Sequence, residues 1–170
     1  MKKLFFLVLM TGLIGMNAFG QSDKSKRPSP PAKISATTKT GVTITVDYSR
    51  PSVKGRTIGQ DIAPYGKVWR AGANEATVFE VNKDVKVEGQ ALPAGKYGLY
   101  AIPGEKEWTV IFNKTWKQWG TDYNEQEDAL RVKVKPGKSS AFAEKLTYTI
   151  ADNGTVSLLW GDTQVDFRVR

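Results

Sequence analysis

Apolar and polar residues alternate along most of the chain after residue 34. The clearest case is the segment 42–48, in which every second residue is apolar: Val42, Ile44, Val46 and Tyr48. A period of two places such side chains on one face of a β-strand. The same pattern recurs at 97–101, 108–112, 130–134, 146–150 and 156–160. The alternation therefore predicts a domain of about nine or ten short strands, with no helix longer than a turn or two.

Turn residues separate these segments and indicate how the strands connect. Asn153-Gly154 between 146–150 and 156–160 is typical of a tight antiparallel hairpin. Gly161-Asp162 is expected to turn the chain again into 165–169, which would complete a three-stranded meander. Since no helical segment is available to connect parallel strands, we predict an all-β, single-domain antiparallel β-sandwich of the jelly-roll type over 34–170.

Residues 1–20 have the pattern of a secretory signal peptide. Lys2 and Lys3 precede an apolar run, and Ala18 and Gly20 supply the small residues before a cleavage site. Retention as a membrane anchor is the alternative, but the run is shorter than the roughly 20 apolar residues that span a bilayer. We therefore predict cleavage near Gly20, export to the periplasm or beyond, and no stable membrane insertion.

The net charge of +8 lies mainly ahead of the domain. Residues 21–33, QSDKSKRPSPPAK, are rich in lysine, serine and proline, a composition typical of a disordered, basic linker. Less than half of the excess positive charge remains in 34–170. A protein that binds nucleic acid carries its charge on one face of a fold, so nucleic-acid binding is not expected.

The chain contains no histidine and no cysteine. Disulfides, thiolate and imidazole catalysis, and most zinc, copper and iron sites are therefore excluded. Residues 122–128 carry oxygen donors at alternate positions, but Glu127 and Lys133 stand where a calcium loop needs glycine and glutamate. We expect no cofactor and no dedicated metal site.

Two segments, 50–77 and 113–128, interrupt the alternation and are the places where function is expected. In the first, guanidinium groups near aromatic rings suit a carboxylate, sulfate or phosphate. The candidate ligand-binding residues are Arg50, Arg56, Tyr65, Trp69, Arg70, Asn74 and Glu75. In the alternative interpretation, the arginines pair internally with Asp47, Asp61 or Glu75 and hold a long loop against the sheet.

In the second segment, Trp116 and Trp119 form a secondary aromatic candidate site. Indole faces stack well on sugar rings, which have one apolar side. The alternative is that one or both indoles cap the open end of the sandwich.

The string PYGKVWRAGANEAT at 64–77 resembles the signature of a secreted family, domain of unknown function 2911 (DUF2911). The resemblance continues through LPAGKY at 92–97, IPG at 102–104, WTVIFN at 108–113 and WG at 119–120, and covers most of 34–135. It implies an exported protein, mostly of Gram-negative bacteria. The family has no established activity, so the resemblance transfers no catalytic residue.

The sequence leaves the biochemical function open between classes. The favoured hypothesis is a non-catalytic binding or structural module for a small anionic or carbohydrate ligand in the cell envelope. The alternative is a carboxylate-dependent glycan hydrolase, with Asp61 and Glu75 as the carboxylate pair. Neither the identity of a ligand nor the sheet order nor the oligomeric state follows from the sequence.

Overall fold

The computed structural model describes residues 23–170, and these residues form ten β-strands and two single turns of 3-10 helix. The turns are Lys24–Lys26 and Glu125–Glu127. The strands are β1 (Pro31–Thr37), β2 (Thr43–Ser49), β3 (Thr77–Val81), β4 (Val85–Val87), β5 (Gln90–Leu92), β6 (Gly95–Ile102), β7 (Trp108–Asn113), β8 (Asp128–Val134), β9 (Pro136–Ile150) and β10 (Thr155–Arg168). The predicted signal peptide at 1–20 lies outside the described residues.

Six of these strands form an antiparallel sheet, the main sheet, in the order β1-β2-β3-β6-β7-β8. The β9–β10 hairpin forms the second layer. Strand β4 extends this layer, because Lys86 and Arg170 exchange backbone hydrogen bonds of 2.6 and 2.9 Å. The two layers pack face to face, and the predicted all-β antiparallel sandwich is confirmed.

The main core lies between the two layers. Alternation along β2 directs Ile44 and Val46 inward, and both are fully buried. Three phenylalanine rings join the layers: Phe112 of β7 lies 5.0 Å from Phe79 of β3 and 5.7 Å from Phe167 of β10. Such edge-to-face contacts add to the free energy gained by burying the rings.

A second, smaller apolar cluster lies on the opposite face of the main sheet. Alternate residues of β6 and β7, Tyr100 and Ile111, point away from the main core and are fully buried with Ala76. Tyr123 from the segment 113–128 packs against them. That segment therefore covers part of the outer face of the main sheet.

The C-terminal strands differ from the predicted meander. The hairpin turn at Asn153-Gly154 forms as expected, and Gly154 has a positive φ of 84°. The chain does not turn at Gly161-Asp162, because β10 continues through both residues with register shifts against β9 on either side of Gly161. A β-bulge absorbs extra residues without reversing the strand. One long strand thus replaces the two short strands that the sequence predicted.

The main sheet begins earlier than predicted. Strand β1 starts at Pro31, inside the segment 21–33 that the sequence assigned to a disordered linker. Residues 24–30, which we call the N-terminal strap, also contact the domain: Arg50 N donates to Pro30 O at 2.9 Å. The side chains of Ala32 and Ile34 pack against the core. Their alternation is short and lies among prolines and lysines, so it is a weak signal in the sequence.

The helical turns within residues 23–170 are all too short to span a membrane.

Candidate functional site

The two segments that interrupt the alternation meet on the outer face of the main sheet. Gly120 N donates to Asn74 O at 3.1 Å, and Ala76 N donates to Gln118 O at 3.1 Å. Glu75 and Trp119 face each other as an antiparallel pair between these two bonds. We call residues 74–76 and 118–120 the connecting ladder. It brings the arginine-containing segment against the segment with the two tryptophans.

Arg50 and Arg56 are used internally. Arg50 Nε donates to Leu146 O at 3.0 Å, and its Nη2 donates to Thr147 Oγ1 at 2.8 Å. Arg56 donates to two carbonyl oxygens of its own loop, at 3.0 and 2.7 Å. These two arginines therefore follow the alternative interpretation, in which the arginines of this segment bond internally and hold the loop. Their partners are main-chain oxygens and a hydroxyl rather than the carboxylates that were expected.

Trp69 is packed against the main core, whereas Tyr65 is 41% exposed. The Tyr65 ring lies against Gly59. Gly59 has a φ of +90°, a backbone conformation that residues with a side chain rarely adopt. The Trp69 indole stacks on Trp160 with centroids 5.2 Å apart and an interplanar angle of 7°, and it contacts the edge of Trp108. Trp69 therefore anchors its segment to the core.

Arg70 is placed differently from the other two arginines of its segment. Its Nε is buried and donates to no acceptor among the described residues. Within residues 23–170 its guanidinium also forms no ion pair. A buried donor without an acceptor costs about 1–3 kcal/mol and is rare in native proteins. The position of Arg70 is therefore the feature of this surface that most requires an explanation.

A cavity of about 390 Å³, the Arg70 cavity, opens beside this guanidinium. It is lined by Val68, Trp69, Arg70, Gly120, Thr121 and Tyr123. Gly120 is required there, since a Cβ at this position would collide with Arg70 Cδ and lie 2.8 Å from Asn74 O. The cavity thus combines one cation and one aliphatic hydroxyl with aromatic and aliphatic walls.

Tyr123 forms a fixed wall of the Arg70 cavity. Its hydroxyl donates to Asp128 Oδ2 at 2.7 Å and accepts from Arg131 Nη2 at 2.8 Å. Burial and the hydrogen bond to Asp128 raise the pKa of Tyr123 to about 12, so the phenol is neutral at physiological pH. Because both functions of the hydroxyl are used by the protein, the ring of Tyr123, rather than its oxygen, is available to a ligand.

Asn74 and Glu75 contact the N-terminal strap rather than Arg70. Asn74 Nδ2 donates to Ser29 O at 3.1 Å. Arg27 Nη1 donates to both carboxylate oxygens of Glu75, at 3.0 and 2.8 Å, and Lys24 Nζ lies 3.0 Å from Glu75 Oε1. Burial acts to raise the pKa of Glu75. Its own backbone N–H, Lys24 and Arg27 lower the pKa by more than burial raises it, and the resulting pKa is about 2.

These contacts do not favour the hydrolase alternative. A glycosidase of the usual kind uses one protonated carboxyl group and one free carboxylate. The low pKa of Glu75 excludes it as the proton donor, and both of its oxygens are already bonded to Arg27. Asp61 Oδ2 accepts the Thr57 N–H at 2.8 Å within its own turn. Each carboxylate is therefore held in its local structure, and nothing in the geometry pairs the two.

The low pKa of Glu75 predicts a pH-dependent contribution to stability. The ion pairs stabilise the fold above the ordinary glutamate pKa of 4.5, and their contribution is lost as the pH falls towards the folded-state pKa of about 2. We expect Glu75→Gln to be less stable than the wild type above about pH 5, with a difference that narrows steadily on acidification. Chemical denaturation of both proteins between about pH 6 and pH 3 measures this difference in the free energy of unfolding. A difference that does not change with pH would contradict these ion pairs.

Trp116 and Trp119 have different surroundings: Trp116 lies beside Lys96 of β6, and Trp119 pairs with Glu75 in the connecting ladder. Lys96 Nζ sits 5.2 Å from the centroid of the Trp116 ring. Trp116 borders a second cavity of about 230 Å³, the strap cavity, whose walls also include Lys24, Asp47 and Glu75. The Trp119 side chain is 47% exposed and lines neither cavity.

The sequence did not single out Gly120, Thr121 or the strap as parts of this surface. Gly120 directly follows the exposed Trp119, and a glycine at that place is a usable signal for a close approach of two segments. The described residues contain no group of three acidic side chains that could hold a metal ion.

Comparison with known proteins gives one result. The model of a family described as "Protein of unknown function (DUF2911)" matches residues 29–169. No curated protein and no solved structure matches the chain. The match covers both the connecting ladder and the Arg70 cavity, and the resemblance inferred from 64–77 is confirmed. The chain belongs to the DUF2911 family.

Proposed function

We propose that this protein is a non-catalytic binding module for a small organic anion and that Arg70 anchors the ligand. The observation that carries the proposal is the buried Arg70 Nε, which lacks an acceptor among the described residues. A carboxylate or phosphate accepts two parallel hydrogen bonds from a guanidinium, and such charge-assisted bonds are about twice as strong as neutral ones. A bound anion in the Arg70 cavity would therefore give this guanidinium the charged partner that it lacks among the described residues.

The walls of the Arg70 cavity favour an anion with an apolar or flat body. Val68, Trp69 and Tyr123 offer aliphatic and aromatic surface, and Thr121 offers one hydroxyl. The volume of about 390 Å³ lies in the range of small-molecule sites. A small aromatic acid or an acidic sugar fits this combination better than an inorganic ion, which makes no use of the rings.

The proposal includes no reaction. Among the residues that line the cavity, Thr121 has no basic neighbour that could activate its hydroxyl, and the oxygen of Tyr123 is bonded to Asp128 and Arg131. A role in the cell envelope follows from the export predicted for residues 1–20 and forms part of the same proposal.

A thermal-shift screen tests this function. The probes are benzoate, glucuronate, N-acetylmuramate and inorganic phosphate, with glucose as an uncharged control. We expect at least one organic acid to raise the Tm, since a ligand at about 100 times its Kd stabilises a fold by about 2.7 kcal/mol. In Arg70→Gln the stabilisation should fall to about 0.4–1.4 kcal/mol at the same ligand concentration, because the loss of charged hydrogen bonds weakens binding by about 10- to 100-fold.

Arg56→Gln is the matched control, since Arg56 bonds only to its own loop and should leave the ligand-dependent shift intact. The proposal fails if no acid raises the Tm, or if Arg70→Gln responds to the acids as the wild type does. A destabilised Arg70→Gln without any ligand effect in the wild type would make Arg70 a structural residue.

A further inference from the structure

The N-terminal strap is held to the domain by polar contacts and hardly by apolar burial. None of its first three residues, Lys24–Lys26, is buried. Its attachments are the ion pairs of Lys24 and Arg27 with Glu75, the bond from Asn74 to Ser29 O, and the bond from Arg50 N to Pro30 O. A segment held in this way can leave its place without exposing a hydrophobic core.

The strap is a short, bent segment that begins with the 3-10 turn Lys24–Lys26 and is rich in proline. Arg27 has φ −67° and ψ 148°, and prolines follow at positions 28, 30 and 31. Here Ser29 O and Pro30 O accept from the domain, while Arg27 reaches a carboxylate. Short basic, proline-rich peptides are recognised by the same combination of contacts.

The strap leaves part of this surface unfilled. The strap cavity contains a second carboxylate, that of Asp47, which forms no ion pair within the described part of the chain. Its wall also includes the Trp116 indole, which already attracts the ammonium group of Lys96. A further basic side chain would therefore find both a carboxylate and an aromatic ring.

We propose that Glu75, Asn74, Asp47 and Trp116 form a recognition surface for a basic, proline-containing segment of a partner protein. The chain's own strap occupies this surface in the structure and acts as an internal competitor. The proposal is independent of the anion site, because the strap cavity and the Arg70 cavity share no lining residue.

Fluorescence anisotropy with a labelled peptide of residues 23–33, DKSKRPSPPAK, tests this surface. The protein is the double variant Lys24→Ala/Arg27→Ala, which releases Glu75 from its own strap. We expect it to bind the peptide at least about ten-fold more tightly than the wild type, in which the tethered strap competes at an effective concentration near the millimolar range. Adding Glu75→Gln should reverse this gain.

Two controls separate recognition from attraction between net charges. Glu107, which pairs with Lys133 and does not line the strap cavity, is the matched carboxylate, and Glu107→Gln in the double variant should leave the affinity unchanged. A peptide with alanine at the three proline positions keeps the charge and should bind about five-fold more weakly, because it is less pre-ordered.

The proposal is overturned if the double variant binds no more tightly than the wild type. It is also overturned if Glu107→Gln weakens binding as much as Glu75→Gln does, or if the alanine peptide binds as well as the parent. Arg27→Ala alone, which removes the bidentate contact, gives a second and milder variant for the same comparison. Failure here leaves the thermal-shift result for organic acids unaffected.

Discussion

Phe112→Ala is expected to lower the free energy of unfolding by about 3–5 kcal/mol. Phe112 is fully buried in β7, and its ring contacts Phe79 and Tyr97 of the main sheet and Phe167 of the second layer. Alanine would remove the ring that joins the two layers and leave a cavity that the surrounding strands cannot fill. Equilibrium denaturation in urea measures the loss.

Phe142→Ala is the matched control, because Phe142 is 58% exposed on β9. Its effect should stay within about 0.5 kcal/mol. A loss of less than about 1 kcal/mol in Phe112→Ala would mean that the layers do not pack through this ring.

Gly120→Ala should disturb both stability and ligand binding. The new Cβ would collide with Arg70 Cδ and crowd Asn74 O, a backbone atom that cannot move without breaking the connecting ladder. Overpacking of this kind costs about 1–3 kcal/mol. Because Arg70 must also shift, we expect the variant to lose its response to organic acids as well as part of its stability.

Gly137→Ala provides the comparison for this variant. At Gly137 the nearest atom to an added Cβ is Gln164 O at 3.9 Å, an ordinary contact. Thermal melts with and without the best organic acid should show wild-type behaviour for Gly137→Ala and a lower Tm without a ligand response for Gly120→Ala. Full retention of both properties in Gly120→Ala would contradict the close packing of the two segments.

The strands were predictable because each records its environment in a local pattern. Segment 42–48 alternates between the core and the outside, and the structure places it in β2 with the expected face buried. The bulge at Gly161 was not predictable, because glycine followed by aspartate is equally compatible with a turn and with a bulge. Only the pairing of β10 with β9 over its whole length decides between them.

The site was predictable as a region but not residue by residue. Arg50, Arg56 and Arg70 look equivalent in the sequence, since the acceptors of the first two are oxygens that only the folded chain brings near. The strap looked disordered because a composition of lysine, serine and proline is typical of a solvated tail. Only the folded chain shows that Lys24 and Arg27 pair with Glu75. Contacts between distant segments produce no periodic pattern in the sequence. The connecting ladder is a contact of this kind, so the sequence could not show it.

The most direct test of the anion site observes the guanidinium itself. In protein labelled with ¹⁵N-arginine, the Nε–H resonance of Arg70 can be assigned by its absence from the spectrum of Arg70→Lys and followed while benzoate or glucuronate is added. We expect a saturable shift of the Arg70 resonance, with those of Arg50 and Arg56 unchanged because their protons are already bonded internally. An unmoved Arg70 resonance at saturating concentrations of every acid, or an equal shift of all three, would contradict the proposed anion site.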